Sequence, residues 1–380
     1  MNTAQPRRGS STRIAATSST PLRLMSTSDL RQRGLSKRSI AAEVESGGLV
    51  RIRTGWYSYG SAWESAALQT RHLAAIRAAH LASTASPSTS TTSTASTSTS
   101  TSPEFSHRSA ATLHGLPVWS KWLARVFPDP ERQAPPNPRI VHVVHATRHG
   151  RPRERLVRHR STLSPSDRCT TVIEPHLELQ CTSPLRTIID LARTEPFGIA
   201  LACSDACLRN AFRVHREVDH ESWHHWREQL LTRLHEAPRQ RGAVAIRRLA
   251  SLADPRSDSV LESVSRLRFH QLGINVELQT RIPSENGGDL SLDFLLVEHN
   301  VFGECDGKIK YTDESLRGTL SPEEVVYAEK RRHDWITGST GMRGIRWGAT
   351  DVETLEKFRN RLRSFGIEPA SPPGTTRAHT

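Results

Sequence analysis

Residues 289–308 read DLSLDFLLVEHNVFGECDGK, and the folding of this stretch decides the reading of the whole chain. Two apolar runs, 290–297 and 301–305, flank a short polar turn at 298–300, which is the pattern of a β-hairpin. Asp293 lies within the first run, while Glu304, Asp306 and Lys308 follow at period-two spacing in and just past the second. Their side chains therefore share one face of the ribbon. A turn that pairs Val297 with Asn300 sets Asp293 opposite Glu304. Carboxylates that meet on one face of a buried hairpin cost free energy unless positive charge sits between them. A divalent cation supplies that charge. Hard carboxylate oxygens suit Mg²⁺, and a nearby lysine can help activate a water or steady a phosphate. The alternative is an acidic turn whose carboxylates are simply solvated.

At these residues the chain resembles the PD-(D/E)xK nuclease superfamily. More closely, it resembles the very-short-patch-repair-like (Vsr-like) domains, whose hairpin reads DF…E-x-DG. The resemblance covers residues 256–365 and implies a restriction-endonuclease-like α/β core that hydrolyses a phosphodiester with Mg²⁺. Carried over residue by residue, it implies Asp293 and Glu304 as metal ligands. It also implies a glutamate from the preceding helix, Glu262 within SVLESVSRLRF. A helix-start glutamate favoured by the helix dipole is the other reading of that residue. Two frames compete for the acidic-x-lysine element, Asp306-Gly307-Lys308 and Glu304-Cys305-Asp306. In the first, Lys308 orients the attacking water. The Vsr-like match takes the second, which keeps the Asp293-to-Glu304 spacing and the Asp-Gly dipeptide, and Asp306 then stands where other nucleases carry lysine. The same resemblance places Gln279 in an LQ-x-x-I strand over 275–282 and Lys330 and Arg332 on a basic helix over 322–336, where they would offset charge growing on the phosphate. With GIRW at 344–347 as a closing strand and a last helix over 352–365, the predicted order is α-β-β-β-α-β-α.

At 380 residues the chain is long enough for two or three domains, and a hydrophobic fraction of 36% is low enough that part of it is expected to be disordered. The formal net charge of +13, carried mostly by arginine, favours a polyanionic partner, with nucleic acid first. A general arginine bias of composition is the bland alternative. Five cysteines at 169, 181, 203, 207 and 305 include no C-x-x-C pair, so neither a zinc site nor a disulfide framework is expected. They suit a reducing cytoplasm, the expected location. Cys203 and Cys207 fall one helical turn apart in an apolar stretch and read as core. No apolar run reaches the length of about eighteen residues that a membrane span needs. Residues 1–24, rich in Ser, Thr and Arg and lacking acids, read as a disordered tail, with a transit peptide as the other reading.

Residues 25–60 read as a compact unit. Ser28 is the expected cap of a helix over 29–33, and Ser36 of a second over 37–46, closed by Gly47-Gly48. LVRIRTGWYSY then alternates and turns at Thr54-Gly55. Two helices and a basic hairpin predict a winged helix-turn-helix. Lys37 and Arg38 would meet base edges from the start of the second helix, and Arg51 and Arg53 would reach phosphates from the wing. This stretch resembles the N-terminal domain of the AbiEi family, antitoxins of type IV toxin–antitoxin systems, in which that domain binds promoter DNA. Small winged helices also serve protein contacts.

The central domain is expected over 61–253. It opens with a helical pattern over 63–82 and carries a disordered Ser/Thr-rich insertion at 83–103, which buries too little apolar area to offset its chain entropy. FSHRSAATLHGLP at 105–117 resembles the next helix of the AbiEi family, with His107 and His114 on one face and no acidic or thiol neighbour in sequence; they read as structural or nucleic-acid-facing, with metal binding as the lesser alternative. RIVHVVHAT alternates as a strand, and 148–160 forms a dense basic loop whose Arg151, Arg153, Arg155, Arg158 and Arg160 could follow a phosphate backbone, or could simply be solvated. CTSPLRTIIDLAR predicts a helix with proline at its start, and it matches the central region of AbiEi-like proteins. Asp190 and Arg193 in it read as internal partners. Helices are expected over 199–212, 223–234 and 243–252. Asp254-Pro255 marks the boundary to the last domain, 254–366, followed by a disordered tail at 367–380.

The expected class is thus multi-domain α/β: a winged helix, a mixed α+β centre and a restriction-endonuclease-like core. The function expected is that of a DNA-binding protein with Mg²⁺-dependent phosphodiester hydrolysis. The alternative is an antitoxin-like transcriptional regulator whose nuclease fold is catalytically inactive. A third reading is RNA processing. The partners expected are DNA, a second copy of the chain and a cognate toxin encoded nearby.

Overall fold

The computed structural model describes residues 21–84, 103–131, 134–145, 150–153, 155–174, 177–305 and 322–368. Both predicted tails (apart from 21–24 and 367–368) and most of the Ser/Thr-rich insertion lie outside these residues, as do Arg148, Asp306 and Lys308. The architecture is mixed α/β with several sheets. The described residues divide into two compact units. One holds those up to Cys203 with Trp226–Arg248, and the other holds Ser204–His225 with those from Leu249 onward. No helix among the described residues is long and apolar enough to cross a membrane.

In the first unit, strand β1 (Met25–Ser26) leads into helix Thr27–Gln32. Its cap is Ser26 rather than the expected Ser28. The Ser26 hydroxyl accepts the Asp29 amide at 3.1 Å, and the Asp29 carboxylate accepts the Ser26 amide at 2.7 Å. That reciprocal box needs the acid three residues after the cap, which Ser26 has and Ser28 lacks. Ser36 caps helix Lys37–Glu45 as predicted. Strands β2 (Leu49–Arg53) and β3 (Trp56–Tyr59) form the hairpin, and β1 joins β3 at its far edge. Met25, Leu30, Ile40, Leu49 and Tyr57 make a small core between helices and sheet.

The pattern expected as one helix over 63–82 is two, Gly60–Ser65 and Leu68–Thr84. Ala66 turns extended between them, and the Arg71 guanidinium donates to the carbonyls of Glu64 and Ala66 that a continuous helix would have used. Phe105 belongs to strand β4 (Glu104–Phe105), not to the expected helix, which starts at His107 and ends at Leu113. Its ring is fully buried within the sheet core. After β5 (Val141–His145), the expected basic loop is an edge hairpin of β6 (Gly150–Arg153) and β7 (Leu156–Arg160), with β7 parallel to β5. Strands β8 (Arg168–Glu174) and β9 (Leu177–Thr182) complete a six-stranded sheet of order β6-β7-β5-β4-β9-β8. Ile52, Trp63, Ala74, Ala75, Ile76, Ala78, Ala79, Phe105, Val141, Val143 and Leu179 share one core, so strand β2, helices Gly60–Ser65 and Leu68–Thr84 and the central sheet pack together.

The second unit opens with a short hairpin, β10 (Arg213–Val214) and β11 (Glu217–Val218). Helix Val260–Leu272 starts at Ser259 and ends at Gly273, which takes φ 69°. Only a residue tolerant of the left-handed region closes a helix this way. Strands β12 (Glu277–Pro283), β13 (Asp289–Leu296) and β14 (Val301–Cys305), helix Pro322–Thr340, strand β15 (Arg343–Trp347) and helix Leu355–Arg363 follow. Among the described residues, this is the predicted element order. The sheet runs β12-β13-β14-β15, antiparallel except for the parallel pair β14–β15. Its core is aromatic: Phe269, Phe294, Trp347 and Phe358, with ring centroids 4.9–5.5 Å apart.

Candidate functional site

The hairpin over 289–305 folds in the expected register. Leu296 pairs with Val301, Leu295 with Phe302 and Phe294 with Gly303. One step further along, Asp293 stands opposite Glu304. A single 3₁₀ turn at Val297–His299 and a left-handed Asn300 close the loop. Asp293 Oδ2 accepts the Cys305 amide at 3.0 Å, so the carboxylate is fixed by the backbone of the neighbouring strand.

Glu304 is buried, and both its oxygens are taken. Arg332, from helix Pro322–Thr340, pairs with Oε1 and also donates to the Ser291 carbonyl at 2.6 Å. Arg346 lies beside Glu304 in the parallel β14–β15 register and reaches Oε2 at 3.0 Å, while its other terminal nitrogen meets Glu329 at 2.8 Å. Burial depresses the Arg332 guanidinium, and Arg346 and Arg216 depress it further against the pull of Asp293.

Across the sheet, the β12–β13 ladder skips the position where Gln279 faces Asp293. Gln279 adopts φ 53°, a conformation that a non-glycine residue holds only when its surroundings impose it. Its amide oxygen accepts the Ser291 hydroxyl at 2.7 Å, and its amide nitrogen lies 3.4 Å from Glu262. Glu262 reaches back over its own helix start, accepting the Asp258 amide at 2.7 Å and the Ser259 hydroxyl at 3.0 Å. Burial, then the nearby Asp293 charge, push its carboxyl up to about 7.

This shift has a consequence for stability. A carboxyl raised in the fold favours the protonated native state, so its contribution is complete below pH 4.5 and is lost as pH rises through 7. Between about pH 4.5 and pH 8, wild type should lose about 3 kcal/mol of unfolding free energy relative to Glu262→Gln. Parallel pH profiles in denaturant unfolding would contradict the assignment.

The β10–β11 hairpin brings in a residue that sequence reading missed. His215 and Arg216 both have positive φ, 48° and 71°, the type I′ geometry that sequences usually announce with Asn-Gly. Arg281 ties Glu217 to β12 at 2.5 Å, and Arg213 pairs with Asp258, so the turn is held and Arg216 lines the site. Arg216, Arg332 and Arg346 face Asp258, Asp293, Glu304 and Glu329 around a cleft of about 400 Å³. Such a cleft can exchange its internal ion pairs for an anion on the guanidiniums and a cation on the carboxylates.

The structure thus brings together Asp293, Glu304 and Arg332, with Glu262 adjoining through Gln279. Lys330 is exposed and lines a neighbouring depression with Glu329, His333 and Arg346 instead. Asp306 and Lys308 fall outside the described residues, as noted. Carboxylate oxygens are the right donors for Mg²⁺. As arranged, however, guanidiniums carry the charge that an ion would balance. Among the described residues, Glu262, Asp293 and Glu304 do not form a group of three with ligand atoms within 4.8 Å of one another.

In the first unit, Lys37 and Arg38 are exposed at the start of their helix and Arg51 is exposed on β2, with Arg53 half-buried. Arg139 and Arg155 both donate to the Arg51 carbonyl, and burial, followed by the like charges of Arg139 and Arg51, depresses Arg155. Arg151 and Arg153 lie on the edge strand β6. His107 is not nucleic-acid-facing: it is buried, stacks on His159 at 3.5 Å between centroids and lies 3.8 Å from Asp190. Asp190 and Arg186 pair at 2.9 Å inside the unit. No family model matches the chain, and no match is found among curated proteins or solved structures.

Proposed function

We propose that this chain binds DNA and hydrolyses a phosphodiester in the cleft of its second unit, with Asp293 and Glu304 holding Mg²⁺ in a fold of the PD-(D/E)xK type. The observation that carries this reading is that Asp293 and Glu304, each next to the Phe294–Gly303 pair of β13–β14, line one cleft with Arg216, Arg332 and Arg346. The ion would polarise the scissile phosphate and lower the pKa of the attacking water. A phosphate entering the cleft draws Arg332 and Arg346 off Glu304, which frees that carboxylate for ligation and neutralises charge on the phosphate. Glu262, titrating near 7, is suited to exchange a proton at neutral pH.

The first unit supplies the targeting in this reading, as a winged helix-turn-helix with Lys37 and Arg38 at the start of the recognition helix. Lys37→Ala/Arg38→Ala should weaken binding of a labelled duplex from upstream of the gene about tenfold or more. It should also reduce the slope of log affinity against log salt by about 2. Fluorescence anisotropy over a salt series measures both. Unchanged affinity and slope would remove DNA recognition from this helix, and tighter binding of RNA than of duplex would favour RNA processing.

A second reading, an antitoxin-like regulator that binds DNA without cleaving it, is favoured by one observation: both Glu304 oxygens are already neutralised by arginine. In that reading the partners are a second copy of the chain and a toxin encoded nearby.

A further inference from the structure

Cysteine spacing alone predicts no ligand set, yet pairing of β8 with β9 sets Cys169 directly opposite Cys181, with their sulfurs 3.3 Å apart. His114, the residue that caps helix His107–Leu113, turns its Nε2 to the Thr182 carbonyl at 2.8 Å, and that carbonyl lies 3.6 Å from Cys169 Sγ. One ring nitrogen of His114 and both sulfurs lie within 4.8 Å of one another. Both thiols are free.

We propose that His114, Cys169 and Cys181 form a binding site for one soft transition-metal ion, Zn²⁺ above all, separate from the carboxylate cleft. Two thiolates and an imidazole are a donor set that favours Zn²⁺ and rejects hard Mg²⁺. Zn–S bonds of about 2.3 Å in tetrahedral geometry place two sulfurs about 3.8 Å apart, so ligation needs about half an ångström of side-chain adjustment. A disulfide would need the sulfurs to close to about 2.05 Å. Both cysteines sit on paired strands and the histidine at a helix end, so the ligands are held by backbone hydrogen bonds rather than by a loose loop. Cys181 is fully buried, while Cys169 and His114 are half-buried, which leaves a side for the ion to enter and for a solvent molecule as fourth ligand. Ligation as thiolates releases the thiol protons to solvent and ties the end of helix His107–Leu113 to β8 and β9, so the ion stabilises the first unit.

The test is Co²⁺ titration of the full chain, purified reduced and stripped of metal, followed by absorption spectroscopy. The expected result is a thiolate-to-Co²⁺ charge-transfer band that saturates at one equivalent per chain and is abolished by Zn²⁺. Carboxylate-bound Co²⁺ has no such band, so the cleft does not contribute. Cys169→Ser, a half-buried and nearly isosteric change, should keep its circular dichroism spectrum and bind at least about tenfold more weakly. His114→Gln should bind more weakly with the thiolate band retained. Absence of the band, a band unchanged in Cys169→Ser, or a Cys169–Cys181 disulfide found by peptide mass in place of metal binding would each overturn the proposal.

Discussion

Trp347→Ala should destabilise the second unit by about 3–5 kcal/mol, the cost of emptying a large aromatic site that cannot collapse. Trp347 is 2% exposed and packs against Phe269, Phe294 and Phe358 at 5.5 Å between centroids. Its indole N–H donates to the Ser265 hydroxyl at 2.8 Å, a bond that alanine also deletes. The ring lies against Gly303 so closely that an added Cβ there would stand 2.4 Å from it. Glycine on β14 and tryptophan on β15 are therefore one fitted pair. Arg346 precedes Trp347 on the same strand, so loosening this anchor also frees the guanidinium that holds Glu304. Urea unfolding followed by circular dichroism measures the loss; a change below about 1 kcal/mol would mean that the aromatic cluster is not the core described.

Glu195→Ala in the first unit should cost a similar amount, about 3–5 kcal/mol, for a different reason. Arg108 and Glu195 form a two-bond pair whose side chains are 4% and 2% exposed, with Arg108 Nε 2.6 Å from Glu195 Oε1. The guanidinium also donates to the Val118 carbonyl at 3.1 Å and lies over the Trp119 ring at 5.1 Å. Removal of the carboxylate leaves a desolvated cation with one carbonyl and one aromatic face, which do not replace a full negative charge. Replacing both partners by apolar residues, Arg108→Met/Glu195→Leu, should recover most of the loss. If the single and double variants unfold at the same denaturant concentration, the pair is not the source of the cost.

Legibility in the sequence followed the range of each interaction. The hairpin over 289–305 could be read to its register because alternation and a three-residue polar turn are local, and parity then places Asp293 opposite Glu304. Ser36 was legible as a helix cap for the same reason. Arg346 was not: its position depends on a parallel pairing between β14 and a strand beyond a whole helix, and no local pattern encodes that register. Only the placement of an arginine between buried Ile345 and Trp347 hinted at a role. Arg216 was hidden because a His-Arg turn carries no sign of left-handed geometry. Cys169, Cys181 and His114 were hidden because strand pairing, rather than ligand spacing, brings them together.

Glu304 stands between the two functional readings, since the arginines that neutralise it in the described arrangement are those a phosphate would claim. The most direct measurement is incubation of supercoiled plasmid with the full chain, with and without Mg²⁺ or Mn²⁺, beside Asp293→Asn/Glu304→Gln. Hydrolysis in this cleft means nicking that requires the metal and disappears in the double variant while that variant still retains plasmid on a gel. A wild-type chain that binds the plasmid and leaves it supercoiled with either metal would contradict it.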